Sequence, residues 1–254
     1  MAHDELANSG SWLEEPELSG GYVEENAVRE LSASGEVLCA STFTKRSLVL
    51  DGFPPELVRV VPYGCPPPSG DPSLPRERRF LFVGQGVQRK GLHVLLEAWR
   101  RAGLAGSTLR VIASRLDPTI ARLAQGLEGV IISGSLPREE LEQEMQLADT
   151  LVLPSLVEGF GLVIGEALAA GCRVIASQNT GAIDLALPGT VMTPVRAGSV
   201  DSLVEAIQEN SESYARVAPY RLQAQEAALA NGWDRFRADV RSALGIEAVP
   251  NAHA

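Results

Sequence analysis

The 254-residue sequence predicts an α/β protein built on a doubly wound, Rossmann-like parallel sheet and preceded by part of a second α/β domain. Short apolar runs suited to buried strands alternate with longer stretches of helical period, which is how a parallel sheet covered by helices is written in sequence. The strand–helix order persists along the chain, and right-handed crossovers turn it into an open sheet. The 24 glycines and 16 prolines supply the many short turns such a fold requires.

The elements follow in order. YVEENAVRELSASG reads as a helix leading into the strand EVLCAS (36–41), STFTKRSLVLDG as a short helix, and VRVVPYG (58–64) as the next strand. The stretch 63–79, YGCPPPSGDPSLPRERR, cannot continue a helix or a central strand, so it divides the chain: residues 1–65 belong to a partial first domain and 66–78 form a linker. One strand–helix–strand unit is too little for an independent core. The first part therefore reads as the end of something larger, with an edge and an apolar face that promote association.

Beyond the linker, RFLFVG (79–84) is a strand, and KGLHVLLEAWRRAG places Leu92, Leu95, Leu96 and Trp99 at helical spacing. LRVIAS (109–114) and GVIISG (129–134) are further strands, and PREELEQEMQLA opens on Pro137 and acidic residues, the chemistry of a helix start. Then come the strand DTLVLPS (149–155), the small-residue helix LVIGEALAAG and the strand CRVIAS (172–177). SVDSLVEAIQEN offers Ser199 or Asp201 as N-cap before Leu203, Val204 and Ile207. The main domain is expected over 79–215 and a C-terminal helical segment over 216–246, with EAVPNAHA as a tail.

Composition narrows the function. A net charge of −10 is the reverse of what a phosphate-backbone binder carries, so no nucleic-acid partner is expected. The three cysteines lie far apart without metal-ligand spacing, consistent with a reducing, cytoplasmic setting. The acidic start lacks the pattern of a signal peptide, and no run of about 18 apolar residues occurs. A soluble chain is expected, attached to a membrane at most peripherally.

Two stretches carry chemistry. FVGQGVQRKGLHVLLEAW is a strand, a turn containing Gly84, Gln85 and Gly86, then Arg89 and Lys90 ahead of a helix. Close backbone approach, a helix start and two cations suit a pyrophosphate. The dinucleotide fingerprint fails because its third glycine falls on Arg89, and a P-loop fails because Gly91 follows the lysine. Turn glycines and solvated cations would explain the same residues. In SLVEGFGLVIGEALAAG, a strand ends at Pro154–Ser155, Gly159–Phe160–Gly161 form a turn, and Leu162 opens a helix. Such a turn lies where open α/β sheets bind ligands, and its carboxylates, Glu158 and Glu166, can accept paired hydrogen bonds from sugar hydroxyls. The plain alternative is a helix-dipole cap at Glu158 and an exposed helix residue at Glu166.

These stretches, with ADTLVLPSLVEGFGLVIGEALAAGCRVIAS and the closing tryptophan segment, resemble the nucleotide-sugar half of the group 1 (family 4) retaining glycosyltransferases, whose fold is GT-B. The resemblance implies sugar transfer from a nucleotide-diphosphate sugar to an acceptor hydroxyl, carbohydrate or other, with retention of configuration. It implies that Glu166 binds the ribose, Glu158 contacts the donor sugar, and the backbone of Gly159, Phe160, Gly161 and Leu162 lies against sugar and phosphate. Lys90, with Arg89, would stabilise the diphosphate, and Gly134 and Ser135 would sit at the base. No cofactor and no essential metal are implied, and the sequence has no Asp-x-Asp. Gln85 departs from the family, many members of which carry an arginine there; Arg89 is the candidate to compensate.

The resemblance also reads residues 1–65 as the end of an acceptor domain, so the alternative function is a nucleotide-sugar-binding fragment or subunit, inactive without a partner chain that supplies the acceptor domain. A sugar-nucleotide epimerase is a weaker third reading, since the carboxylates and histidines it needs are not found. His93 reads as a packing or surface residue, Asp149 as a helix end or strand start, and Trp233 and Phe236 as packing anchors back onto the N-terminal segment. Asn179, Thr180 and Gly181 could line the diphosphate pocket.

Overall fold

The computed structural model describes residues 30, 33, 35–73, 77–213 and 218–246. Most of the first expected helix lies outside these. The N-terminal segment pairs β1 (Val37–Cys39) with β2 (Val58–Val60) in parallel. Between them α1 (Thr42–Leu50) starts at Ser41, whose extended backbone and hydroxyl cap the helix by accepting the Thr44 amide.

The main sheet contains β3 (Arg79–Gly86), β4 (Thr108–Leu116), β5 (Val130–Ser133), β6 (Thr150–Leu153), β7 (Arg173–Ser177) and β8 (Met192–Val195). Its spatial order is β5-β4-β3-β6-β7-β8, with every neighbouring pair parallel. Growth runs outward from β3 through β5, then returns and resumes on the other side with β6. The reversal leaves a crevice at the carboxyl ends of β3 and β6, the usual ligand position in such sheets.

Strand side chains alternate between two cores, as the pleat requires. Phe80 and Phe82, Leu109 and Val111, Val152 and Ile175 point to one face, with α2 (Leu92–Ala102), α3 (Pro118–Ala124) and α6 (Val200–Glu212) packed over it. Leu81, Ile112, Leu151, Leu153, Val174 and Ala176 point to the other, under α4 (Arg138–Leu147), α5 (Leu162–Ala169) and α7 (Ala218–Ala230). The sheet is therefore covered on both faces, as the near-continuous apolar strands predict.

At the end opposite the crevice, Arg173 and Asp149 form a buried ion pair. The same guanidinium donates to Ser213 Oγ at 2.6 Å and to Asn210 O at 2.8 Å, tying the end of α6 to the sheet. Asp149 thus begins a strand and also anchors it. The C-terminal stretch is two helices: the chain breaks at Asn231–Gly232 before α8 (Trp233–Ala243). Gly232 bridges Cys65, and Tyr63 stacks edge-on against Phe236 at 5.6 Å and lies 6.4 Å from Trp233. Both aromatics of α8 are the anchors onto the N-terminal segment that the sequence suggests. No helix of the described residues is long and apolar enough to cross a membrane.

Candidate functional site

Two loops meet at the crevice. After β3 the backbone passes Val87, makes a single 3₁₀ turn over Gln88–Lys90 and enters α2 through Gly91, whose φ of 72° favours glycine. A Cβ at Gly91 would strike the Pro154 carbonyl, so the glycine also permits the loops to touch. The amide of Leu156 donates to Arg89 O at 2.9 Å, fixing the loop after β6 against the turn after β3.

That junction brings Lys90 and Glu158 into an ion pair, with 15% and 12% of their side chains exposed. Residue type alone allows a solvated Lys90; the fold removes most of the water from both side chains and leaves each the other's partner. Arg89 lies beside them, donating to Gln85 Oε1 at 3.3 Å and to Val157 O at 3.4 Å. The guanidinium is therefore held at Gln85, where the family resemblance places a cation. Gly84 and Gly86 end β3, and Gly86 lies so close to Arg115 and Leu116 of β4 that a Cβ would not fit.

The Gly-Phe-Gly turn is held through its carbonyls. Gly159 O accepts Ser41 Oγ at 2.6 Å, and Phe160 O accepts the Gly181 amide at 2.8 Å. The Phe160 ring is buried and meets Tyr63 edge-on at 5.3 Å, so this residue can offer a ligand only its backbone. Gly161 takes φ 88° as the N-cap of α5, and its missing Cβ leaves room for Leu153, which would otherwise lie 2.8 Å away. The first amides of α5 have no side-chain cap at Gly161, and Leu162 is half exposed above them. A helix start of this kind favours an anion.

Glu166 lies one turn along α5 and lines a cavity of about 390 Å³ with Pro66, Pro67, Arg138, Leu141 and Glu142. Burial raises its carboxyl pKa above the usual range, opposed by Arg138 and reinforced by Glu142. The linker prolines thus form a wall of the pocket, a role that their chain-breaking chemistry alone does not reveal. Gly134 and Ser135 are exposed at the end of β5, with open space around Gly134.

Three expected pocket residues are used differently. Asn179 and Thr180 are fully buried, and their side chains bond Leu156 O and Ser177 O. Gly181 packs on the Phe160 ring. These residues build the floor beneath the turn instead of presenting side chains to a ligand. His93 is buried in α2, and burial lowers its pKa to about 4, so it is a neutral packing residue. Burial likewise pushes the Cys65 thiol up to about 11. Among the described residues, no group of three or more His, Cys, Asp or Glu side chains is placed to hold a metal ion.

Sequence reasoning missed the contribution of α1. Ser41 reaches Gly159, Thr42 donates through N to Asp184 Oδ2 at 2.9 Å, and Arg46 donates to Asn179 Oδ1 at 3.1 Å. The local signal, a serine before a helix, predicts the cap but not a partner 118 residues away.

Comparison with known proteins gives consistent results. The family model for group 1 glycosyl transferases matches residues 77–212, more than half the chain. The amylovoran biosynthesis glycosyltransferase AmsK of Erwinia amylovora is 26% identical over 212 residues, covering 77% of this chain and 52% of that protein. A GDP-mannose-dependent α-(1-6)-phosphatidylinositol monomannoside mannosyltransferase of Mycolicibacterium smegmatis is 29% identical over 164 residues, covering 59% of this chain and 43% of its own length. The chain thus spans about half the length of these curated relatives. Among solved structures, sucrose-phosphate synthase from Thermosynechococcus elongatus superposes with a TM-score of 0.70 at 22% identity, covering 90% of this chain and 63% of that one. HepE from Anabaena, in complex with UDP and glucose, gives 0.71 at 20% identity, covering 87% and 66%. The parallel six-stranded α/β architecture matches the GT-B glycosyltransferase structures.

Proposed function

Because the chain belongs to the group 1 glycosyl transferases, we propose that it moves a sugar from a nucleotide-diphosphate sugar to an acceptor hydroxyl with retention of configuration, as a family 4 type enzyme. The observation that carries this reading is the Lys90–Glu158 pair at the crevice between β3 and β6. A cation and a carboxylate that neutralise each other in a shielded site are matched to a ligand with an anion at one end and hydroxyls at the other. An entering diphosphate takes over Lys90, with Arg89 beside it, and the released Glu158 carboxylate accepts hydrogen bonds from the sugar. Glu166 holds the ribose hydroxyls, and the base lies toward Gly134 and Ser135.

In the reaction, the bond between the anomeric carbon and the diphosphate breaks with its electron pair passing to phosphate oxygen. The acceptor oxygen bonds to the same face, and its proton leaves with the diphosphate. Lys90, Arg89 and the start of α5 meet the charge that develops on the leaving group. Glu158 fixes the sugar for attack from the leaving-group face. No metal is required in this scheme. The solved HepE complexes contain UDP, UDP-glucose or UDP with glucose, and one curated relative is GDP-mannose-dependent, so UDP- and GDP-sugars are the donors to try first.

Proton NMR of donor turnover, with and without EDTA, tests the scheme. Release or transfer of the α-anomer from an α-linked donor, undiminished by EDTA, is expected; the β-anomer would refute retention. A second reading keeps the donor site but places the acceptor site on a partner chain. It is favoured by the two-stranded sheet β1–β2, whose outer edges have no strand neighbour among the described residues. Donor binding without turnover by the chain alone distinguishes it.

A further inference from the structure

We propose that Ser41 is a positioning residue for the donor loop: from α1, outside the six-stranded domain, it aims the backbone amides of the Gly159–Phe160–Gly161 turn at the diphosphate. The inference rests on the donor-site reading above.

Ser41 is fully buried and its hydroxyl has three partners, one of them Thr44 Oγ1 at 3.0 Å. It accepts the Thr44 amide at 3.1 Å, capping α1, and it donates to Gly159 O at 2.6 Å, a carbonyl that Thr44 Oγ1 also reaches at 3.2 Å. The next carbonyl along, Phe160 O, is taken by the Gly181 amide at 2.8 Å. No cis peptide occurs in the described chain. In a trans peptide plane the N–H points opposite to the C=O. Fixing these two carbonyls therefore fixes the Phe160 and Gly161 amides.

Their direction follows from the sheet order. Gly181 lies in the loop after β7, and α1 contacts that same loop through Asp184 and Asn179. The order β3-β6-β7 puts this loop on one side of the turn after β6 and the Lys90 turn on the other. Carbonyls drawn toward the β7 side turn the amides toward the β3 side, where Lys90 and Glu158 meet. With the nucleoside end of a donor at Glu166 and the sugar end at Glu158, those amides face the phosphate nearer the sugar.

A glycine-flanked turn is free to flip its peptide planes, and the Gly159–Phe160 plane is held from outside the domain by two hydroxyls of α1, the buried Ser41 at the shorter distance and Thr44 beside it. Asp184 and Arg46 keep that hydroxyl in place by holding α1 to the floor of the site.

The test is calorimetric titration of the full chain with UDP and UMP, and with GDP and GMP, in wild type, Ser41→Ala and Ser41→Thr. Ser41→Ala is expected to weaken diphosphate binding roughly tenfold, the size of one hydrogen bond to a charged group, while monophosphate binding stays within about twofold. Ser41→Thr keeps the hydroxyl and the cap, and should restore diphosphate binding. Should Ser41→Ala not fold, Ser41→Gly removes the hydroxyl at a cost to the cap of only a few tenths of a kcal/mol and carries the same expectation. Equal loss for mono- and diphosphates, or no loss in a chain whose wild type binds UDP or GDP, overturns the inference and leaves the donor-site reading standing. A folded wild type that binds no diphosphate overturns that reading itself.

Discussion

At the scale of single residues, the Lys90–Glu158 pair is the group on which the functional account turns. Without a ligand the carboxylate occupies the cation that the diphosphate needs. Glu158→Gln should therefore bind UDP or GDP several-fold more tightly, because competition for Lys90 is removed, yet lose most sugar transfer, because the amide is a weaker acceptor for sugar hydroxyls. Calorimetry and a turnover assay on the same preparation read the two effects. His93 is a residue of the opposite kind, a titratable group buried for packing. Its pKa falls from the ordinary 6.5 to about 4 on burial. Between those values the unfolded chain holds a proton that the native chain does not, so stability is full above 6.5 and is lost as pH falls toward 4. The linked loss is roughly 3 kcal/mol. Urea unfolding at pH 7 and at pH 4 should show that His93→Leu removes a loss of this order relative to wild type.

At the scale of elements, close approach explains why the site loops are glycine-rich. A Cβ at Gly181 would collide with the Phe160 ring, so Gly181→Ala should destabilise the chain by roughly 1–3 kcal/mol through overpacking, read as a lowered melting temperature. It should also weaken nucleotide binding, since Phe160 O accepts the Gly181 amide. The strands were legible in sequence as short apolar runs; β3 to β7 fall within a residue or two of the runs that predict them. β8 was not, because Met192–Val195 is a short edge strand containing Pro194, which reads as a turn. The short α3 was passed over in the same way, starting at Pro118 after the Asp117 cap and spanning two turns. The division of the C-terminal segment at Asn231–Gly232 was a visible signal, since glycine there interrupts the helical pattern.

At the scale of the whole molecule, the candidate donor site is assembled from parts far apart in sequence. The cation and the carboxylate come from neighbouring βα loops, a relation visible once the strand order is known, and motif chemistry and family resemblance single out Arg89, Lys90, Glu158 and Glu166 as candidates. Residue type did not reveal the coupling of this site to the N-terminal segment. Ser41 and Arg46 act through partners more than a hundred residues away, Tyr63 pairs with Phe160, all three across the linker, and no local pattern encodes such pairs. The same aromatic joint, Phe160 to Tyr63 to Phe236, links the Gly-Phe-Gly turn, the N-terminal segment and α8 in one packed row. The most direct measurement is calorimetric titration of the full chain with UDP, GDP, UDP-glucose and GDP-mannose, repeated with Lys90→Ala and Glu166→Ala. The account predicts binding to wild type of one nucleotide series, weakened at least tenfold by each substitution, with Lys90→Ala affecting diphosphates more than monophosphates. A folded wild-type chain that binds none of these ligands, or variants that bind as wild type does, would contradict it.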